Sequence, residues 1–238
     1  MPAKKHRMDR TYGSATGLVP NECQLIKKII PVLCPRHEAG WGSFLDGKTL
    51  SAWNKSIDRT SEVGHLSVLE WLQSNHGERC TTKAMNTAAE NGDLSIVKWL
   101  HANRVEGCTS RAMDLAARNG HLHIVKWLHA NRSEGCTVNA MDGAAESGHL
   151  ALVEWLDANR SEGCTAAAIN MAARHGHLSV VEWLHANRSE GCTVNAMDGA
   201  AESGHLALVE WLDANRSEGC TAAAINMAAR HGHLSVVE

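Results

Sequence analysis

The sequence predicts an all-α solenoid, a stack of helix–turn–helix hairpins, and three observations carry that reading. A Gly-(His/Asp)-Leu triplet begins at Gly64, Gly92, Gly120, Gly148, Gly176, Gly204 and Gly232, 28 residues apart each time. Trp71, Trp99, Trp127, Trp155, Trp183 and Trp211 keep that interval, as do Cys80, Cys108, Cys136, Cys164, Cys192 and Cys220. Within each interval, two short apolar stripes at helical spacing flank the glycine. A hairpin of 28 residues cannot bury its apolar face alone, so the units must stack. About seven 28-residue units are present, the first degenerate and the last truncated at Glu238. Residues 133–182 and 189–238 are identical, so a duplicated pair of units lies over the shorter period.

Taken in order, residues 1–51 belong to no repeat. Gly13-Ser-Ala-Thr-Gly17 reads as a flexible link, and residues 23–33 as one short helix broken at Pro31. With Trp41, Phe44 and Trp53, this segment is expected to cap the first hairpin. The repeats run over residues 52–238. The unit 108–135 shows their logic. Thr109 is the expected N-cap, its hydroxyl accepting an orphan backbone N–H. Ala112, Met113, Ala116 and Ala117 form the apolar face of a first helix. Gly120 follows it where a left-handed residue closes a helix. Leu122, Val125 and Leu128, with Ile124 and Trp127 beside them, stripe the second helix. Ser133-Glu134-Gly135 then turns the chain into the next unit. Because the last second helix stops at Glu238, fraying and self-association are expected from about Ala224 onward.

At these residues the chain resembles the ankyrin repeat. Leu-Ala-Ala-x-x-Gly-His-Leu-x-x-Val-x-x-Leu is present almost verbatim at Leu115 to Leu128, and recurs over about residues 52–238. The variant, with Glu-Trp-Leu-His-Ala-Asn-Arg-Ser-Glu-Gly-Cys-Thr following, is similar to the short, Trp-bearing ankyrin repeats of large oomycete families. The departures have structural consequences. The unit is about five residues shorter than the common ankyrin unit, and the loss falls between Arg132 and Ala140, so the projecting fingers should be stubby or absent. The family's Thr-Pro-Leu-His is replaced by Arg111-Ala-Met-Asp114, so the histidine's hydrogen bond must be remade by Asp or Asn, or lost. A usually apolar position late in helix 2 is polar: Gln73, His101, His129, Asp157, His185 and Asp213.

Chemistry finds little purchase. One cysteine per layer cannot gather a zinc site, and packed helices about 8–10 Å apart exceed disulfide reach. The Cys ladder therefore reads as small buried hydrophobes. Cys23, Cys34 and His37 match no common zinc spacing. The Gly-His residues His65, His121, His149, His177, His205 and His233 are structural in the resembled family, and the His121/His123, His175/His177 and His231/His233 pairs could hold a metal only weakly. No P-loop, dinucleotide loop or nucleophile–His–acid set stands apart from the repeated background. Hence no cofactor, no metal, no small-molecule substrate and no catalysis are expected.

The formal charge of −3 argues against a nucleic-acid footprint. Residues 1–50 hold eight basic and four acidic residues, and the rest hold 15 and 22, so a basic head precedes an acidic solenoid. The longest apolar run, Ile29 to Cys34 through Pro31, is far short of the roughly 20 residues that span a bilayer. The basic start lacks a signal's apolar region. The expectation is a cytoplasmic protein, with the nucleus open to it.

The resemblance implies protein–protein interaction through a concave groove. Residues pointing away from the helix-1 core would line it: Lys83, Glu90, Asn91, Arg111, Arg118, Asn119, Asn139, Glu146, Ser147, Arg174, His175, Glu202 and Ser203. At the end of helix 1 the charge alternates by layer through Glu90, Arg118, Glu146, Arg174, Glu202 and Arg230, which invites a ladder of ion pairs. The alternative is an adaptor in which residues 1–51 recruit an effector, such as a ubiquitin ligase component, while the repeats select the client.

Overall fold

The computed structural model describes residues 57–76 and 80–237. The expectations for residues 1–51, including the capping segment and the Cys23/Cys34/His37 string, lie outside them. The chain divides between Ala52 and Trp53, and every described residue belongs to the second unit. Among the described residues all regular structure is helical. Helix α1 covers 57–63, and α2 Leu66–His76, α3 Thr82–Glu90, α4 Leu94–Asn103, α5 Arg111–Arg118, α6 Leu122–Asn131 and α7 Val138–Glu146 follow. Then come α8 Leu150–Asn159, α9 Ala166–Arg174, α10 Leu178–Asn187, α11 Val194–Glu202, α12 Leu206–Asn215, α13 Ala222–His231 and α14 Leu234–Val237. Odd and even helices pair as hairpins, one per 28-residue unit, and no strand finger projects from the described loops.

Local chemistry sets the helix ends. Thr81, Thr137, Thr165, Thr193 and Thr221 are extended, and each hydroxyl accepts the N–H two residues on, at 3.1–3.3 Å. Thr109 departs from this. Helix α5 starts after Ser110, which is already helical, and no side chain caps it. The Thr109 hydroxyl instead accepts from Asn86 Nδ2 of the preceding unit at 2.9 Å. The glycine after each first helix is left-handed, Gly120 at φ 78° and its equivalents alike.

Ala112, Met113, Ala116, Ala117, Ile124, Val125 and Leu128 are at most 2 % exposed, while Leu122 and Trp127 are half-buried. Burying each large side chain contributes about 1.5–3 kcal/mol, and the alanines allow close helix approach. Neighbouring first helices touch along their length, whereas neighbouring second helices meet only locally. The closest pairs are α5 with α7 and α9 with α11. Gly143 and Gly199 explain this, because a Cβ there would stand 3.0 Å from the Cβ of Arg118 or Arg174.

Three polar joints tie layer to layer. The lost family histidine is replaced by Asp114, whose carboxylate accepts from the Thr137 N–H and hydroxyl, both at 2.8 Å. Asp58, Asp142 and Asp198 serve Thr81, Thr165 and Thr221 the same way. Asn86 and Asn170 accept the Thr109 and Thr193 N–H but donate to their hydroxyls. A second joint stacks the imidazoles of His121, His149, His177, His205 and His233, and the Asp93 carboxylate in one layer, on the previous unit's glycine, so that a Cβ at Gly120 would meet the His149 ring at 2.6 Å. The third uses the polar positions late in the second helices: His101, His129, Asp157 and His185 contact Arg132, Arg160, Arg188 and Arg216 of the next unit. At the far end Ile225, Leu234 and Val237 are 59, 68 and 41 % exposed.

Candidate protein-interaction face

The residues that point away from the first-helix core form one stripe. On α5, Arg111, Leu115 and Arg118 sit at i, i+4 and i+7, with Arg111 and Arg118 exposed and Leu115 half-buried. The matching positions are Asn139, Gly143 and Glu146 on α7; Ala167, Met171 and Arg174 on α9; and Asn195, Gly199 and Glu202 on α11, with Gly143 and Gly199 buried under the Arg118 and Arg174 stems. The stripe's middle position escaped the sequence reading, although Met171 is 39 % exposed. The i+4 spacing from Arg111 was the signal that pointed to it.

The thirteen candidate residues do different jobs. Lys83, Arg111 and Asn139 are exposed at the starts of their helices, and Ser203 is exposed beyond α11. Asn91 Nδ2 donates to the Glu62 carbonyl at 2.8 Å, and Asn119 Nδ2 to the Glu90 carbonyl at 2.7 Å, so both tie neighbouring layers. Glu90 and Ser147 are half-buried. His175 is exposed, and its Nδ1 lies 3.0 Å from the Met171 carbonyl.

Arg118 pairs with Glu146, and Arg174 with Glu202 at 2.8 Å. The alternating charges thus form separate pairs across the two closest joints rather than a continuous ladder. Each Arg stem runs over the glycine of the next layer and delivers its guanidinium to that layer's Glu. With Arg side chains 51 and 46 % exposed, such pairs contribute under about 1 kcal/mol each.

The opposite edge has its own electrostatics. Arg132 forks onto Glu134 two residues later, and the guanidinium holds that carboxyl down at about 2, despite partial burial pushing the other way. The Arg160–Glu162, Arg188–Glu190 and Arg216–Glu218 forks repeat it. Cys80, Cys108 and Cys164 are buried, Cys136 and Cys192 half-buried, and Cys220 exposed, all as free thiols. Burial pushes Cys80 up to about 12 and Cys108, Cys136 and Cys164 up to about 11, so these sulfurs stay protonated. Among the described residues no three His, Cys, Asp or Glu side chains gather as a metal site, and no helix is long and apolar enough to cross a membrane.

The fold is that of a helical repeat solenoid. Residues 85–129 and 141–185 each match the family model of ankyrin repeats (many copies), which supports an ankyrin repeat protein. Residues 197–238 repeat 141–182 without change, extending the same pattern. A comparison with curated proteins finds no match. Ankyrin repeats are generally non-catalytic modules for protein–protein interaction.

Proposed function

We propose that the chain is a non-catalytic scaffold that binds a protein partner, in the cytoplasm, through the outward stripe of its first helices. The observation that carries this is the variation of that stripe on a repeated frame. Size and charge change from Arg111, Leu115 and Arg118 to Asn139, Gly143 and Glu146 and on to Ala167, Met171 and Arg174. The Trp, Arg-Ser-Glu-Gly and buried positions meanwhile recur almost unchanged. Neighbouring first helices pack more closely than neighbouring second helices, which supports reading this row as the concave side.

Arg118→Glu with Arg174→Glu should abolish capture of partners from the native cell, read by mass spectrometry. Because both substitutions also oppose Glu146 and Glu202, a second pair, Lys83→Glu with Arg111→Glu, separates lost binding from weakened joints. Melting of that second pair should change little, since exposed substitutions usually cost under about 0.5 kcal/mol. Lys126→Glu, on the exposed side of α6, should leave capture intact. If Lys126→Glu is the more damaging change, the partner sits on the second helices and the assignment fails.

A further inference from the structure

We propose that the joints Arg132–His101, Arg160–His129 and Arg216–His185 are an acid-sensitive hinge set, which loosens the stack when the imidazoles protonate. This goes beyond the partner reading and does not depend on it. The geometry assigns the proton. Arg Nη1 lies 3.3 Å from His101 Nδ1, 3.4 Å from His129 Nδ1 and 3.3 Å from His185 Nδ1. A guanidinium only donates, so each Nδ1 must accept and each ring must be the neutral Nε2–H form. An imidazolium has no lone pair to offer. Protonation would set a donor against a donor and a cation against a cation at hydrogen-bond distance.

The arginines cannot easily withdraw. Each forks onto the Glu two residues later, and its Nη2 fills the space left by a loop glycine of the previous unit, as Arg160 does beside Gly135 at 2.6 Å from where a Cβ would be. The charged neighbours of the rings are these: Asp157 stands at the matching position one layer from both His129 and His185 and is held by Arg188 at 2.9 Å, and Asp213 stands one layer beyond His185. Glu134, Glu162 and Glu218 are already committed to their arginines. Trp127, Trp155 and Trp211 stand edge-to-face with the rings at 5.2–5.3 Å and are neutral. The neighbouring thiols Cys108, Cys136 and Cys192 are held protonated by burial. On the rings' own helices, Lys98 and Lys126 lie one turn before His101 and His129, and Arg104 and Arg132 three residues after, all cations. For His185 the flanking pair is Glu182 and Arg188. The carbonyl end of the helix favours an imidazolium, but its partial charge is weaker than a full guanidinium in contact.

The chain supplies its own control. In the fourth joint Asp157 replaces the histidine and pairs with Arg188 at 2.9 Å. In that joint a carboxylate, not an imidazole, accepts from the arginine.

The test is the triple variant His101→Asp, His129→Asp, His185→Asp, which installs the side chain that the structure accommodates at Asp157. Thermal melts of the full chain at pH 7.5 and 5.5 are compared with wild type. Wild type should lose at least about 3 °C more on acidification than the variant. The Gly-His imidazoles are the same in both proteins. Parallel losses would overturn the proposal. Should the Asp variant fold poorly at pH 7.5, the His→Gln triple, with the residue found at Gln73, serves the same comparison. Nitrogen shifts provide a second readout: His101, His129 and His185 should be Nε2–H tautomers at pH 7.5, and Nδ1–H tautomers would overturn the assignment.

Discussion

Asp114 is 8 % exposed yet accepts two hydrogen bonds, and burial still raises its carboxyl above the ordinary range. Asp142 behaves alike. A raised carboxyl favours the protonated form on folding, so the contribution is full below the unfolded value near pH 4 and declines as pH rises through the folded one. At neutral pH the charge is therefore a cost, offset by the two Thr137 bonds. Asn86 and Asn170 show the uncharged solution, with the amide donating to the Thr hydroxyl. Asp114→Asn should accordingly change neutral-pH stability by less than about 1 kcal/mol. Asp114→Ala, which strands the Thr137 N–H, should cost about 1–3 kcal/mol. Urea titration of the three proteins at pH 7 decides it. That Asp or Asn must replace the family's histidine is legible in Arg111-Ala-Met-Asp114. The donor direction follows from the residue type: an Asp carboxylate accepts from the Thr hydroxyl, whereas an Asn amide donates to it, and Thr193 accepts from Asn170 while also capping its own helix.

At the scale of the helix, glycine is usually a defect, and Gly→Ala in a helix interior gains about 0.5–1 kcal/mol. Gly143 in α7 is the reverse case. A methyl there would press on Arg118 Cβ at 3.0 Å and Cγ at 3.3 Å, and Cβ moves only if α5 moves. Gly143→Ala should therefore destabilise the chain by about 1–3 kcal/mol, as overpacking does, and should part Arg118 from Glu146. Denaturation, with a double-mutant cycle on the ion pair, checks both claims. The same glycine explains why alternation of charge along the sequence became pairing across alternate joints. Glu146 and Arg174 have the right signs, but Met171 replaces the glycine at their joint, and α7 and α9 stay further apart.

For the whole stack, stability is close to a sum of neighbour terms, so a contact made once per unit acts as a multiplied quantity. The Arg–Glu forks are such a contact. The Glu134 carboxyl is held down at about 2 by Arg132. A depressed carboxyl adds stability that is complete above its unfolded value near 4.5 and lost as pH falls toward the folded one. Wild type should thus exceed Glu134→Gln in unfolding free energy at pH 6, with the gap closing between about pH 4.5 and 2. Urea midpoints across that range measure it.

What the sequence by itself determined is everything local to one unit: the 28-residue period, two helices from two apolar stripes, the left-handed Gly120 and the burial of Ala112, Met113, Ala116 and Ala117. Helical periodicity and cap chemistry act over a few residues and are written in them. The relations between units were decided only by the tertiary structure. Thr109 was diverted to Asn86, His101 met Arg132, Asn91 and Asn119 became inter-layer ties, and Leu115 and Met171 joined the outward stripe. Each of these depends on the offset between stacked hairpins, where partners stand 23, 28, 29 or 31 residues apart. That offset follows from how closely two helices approach, and one glycine such as Gly143 changes it.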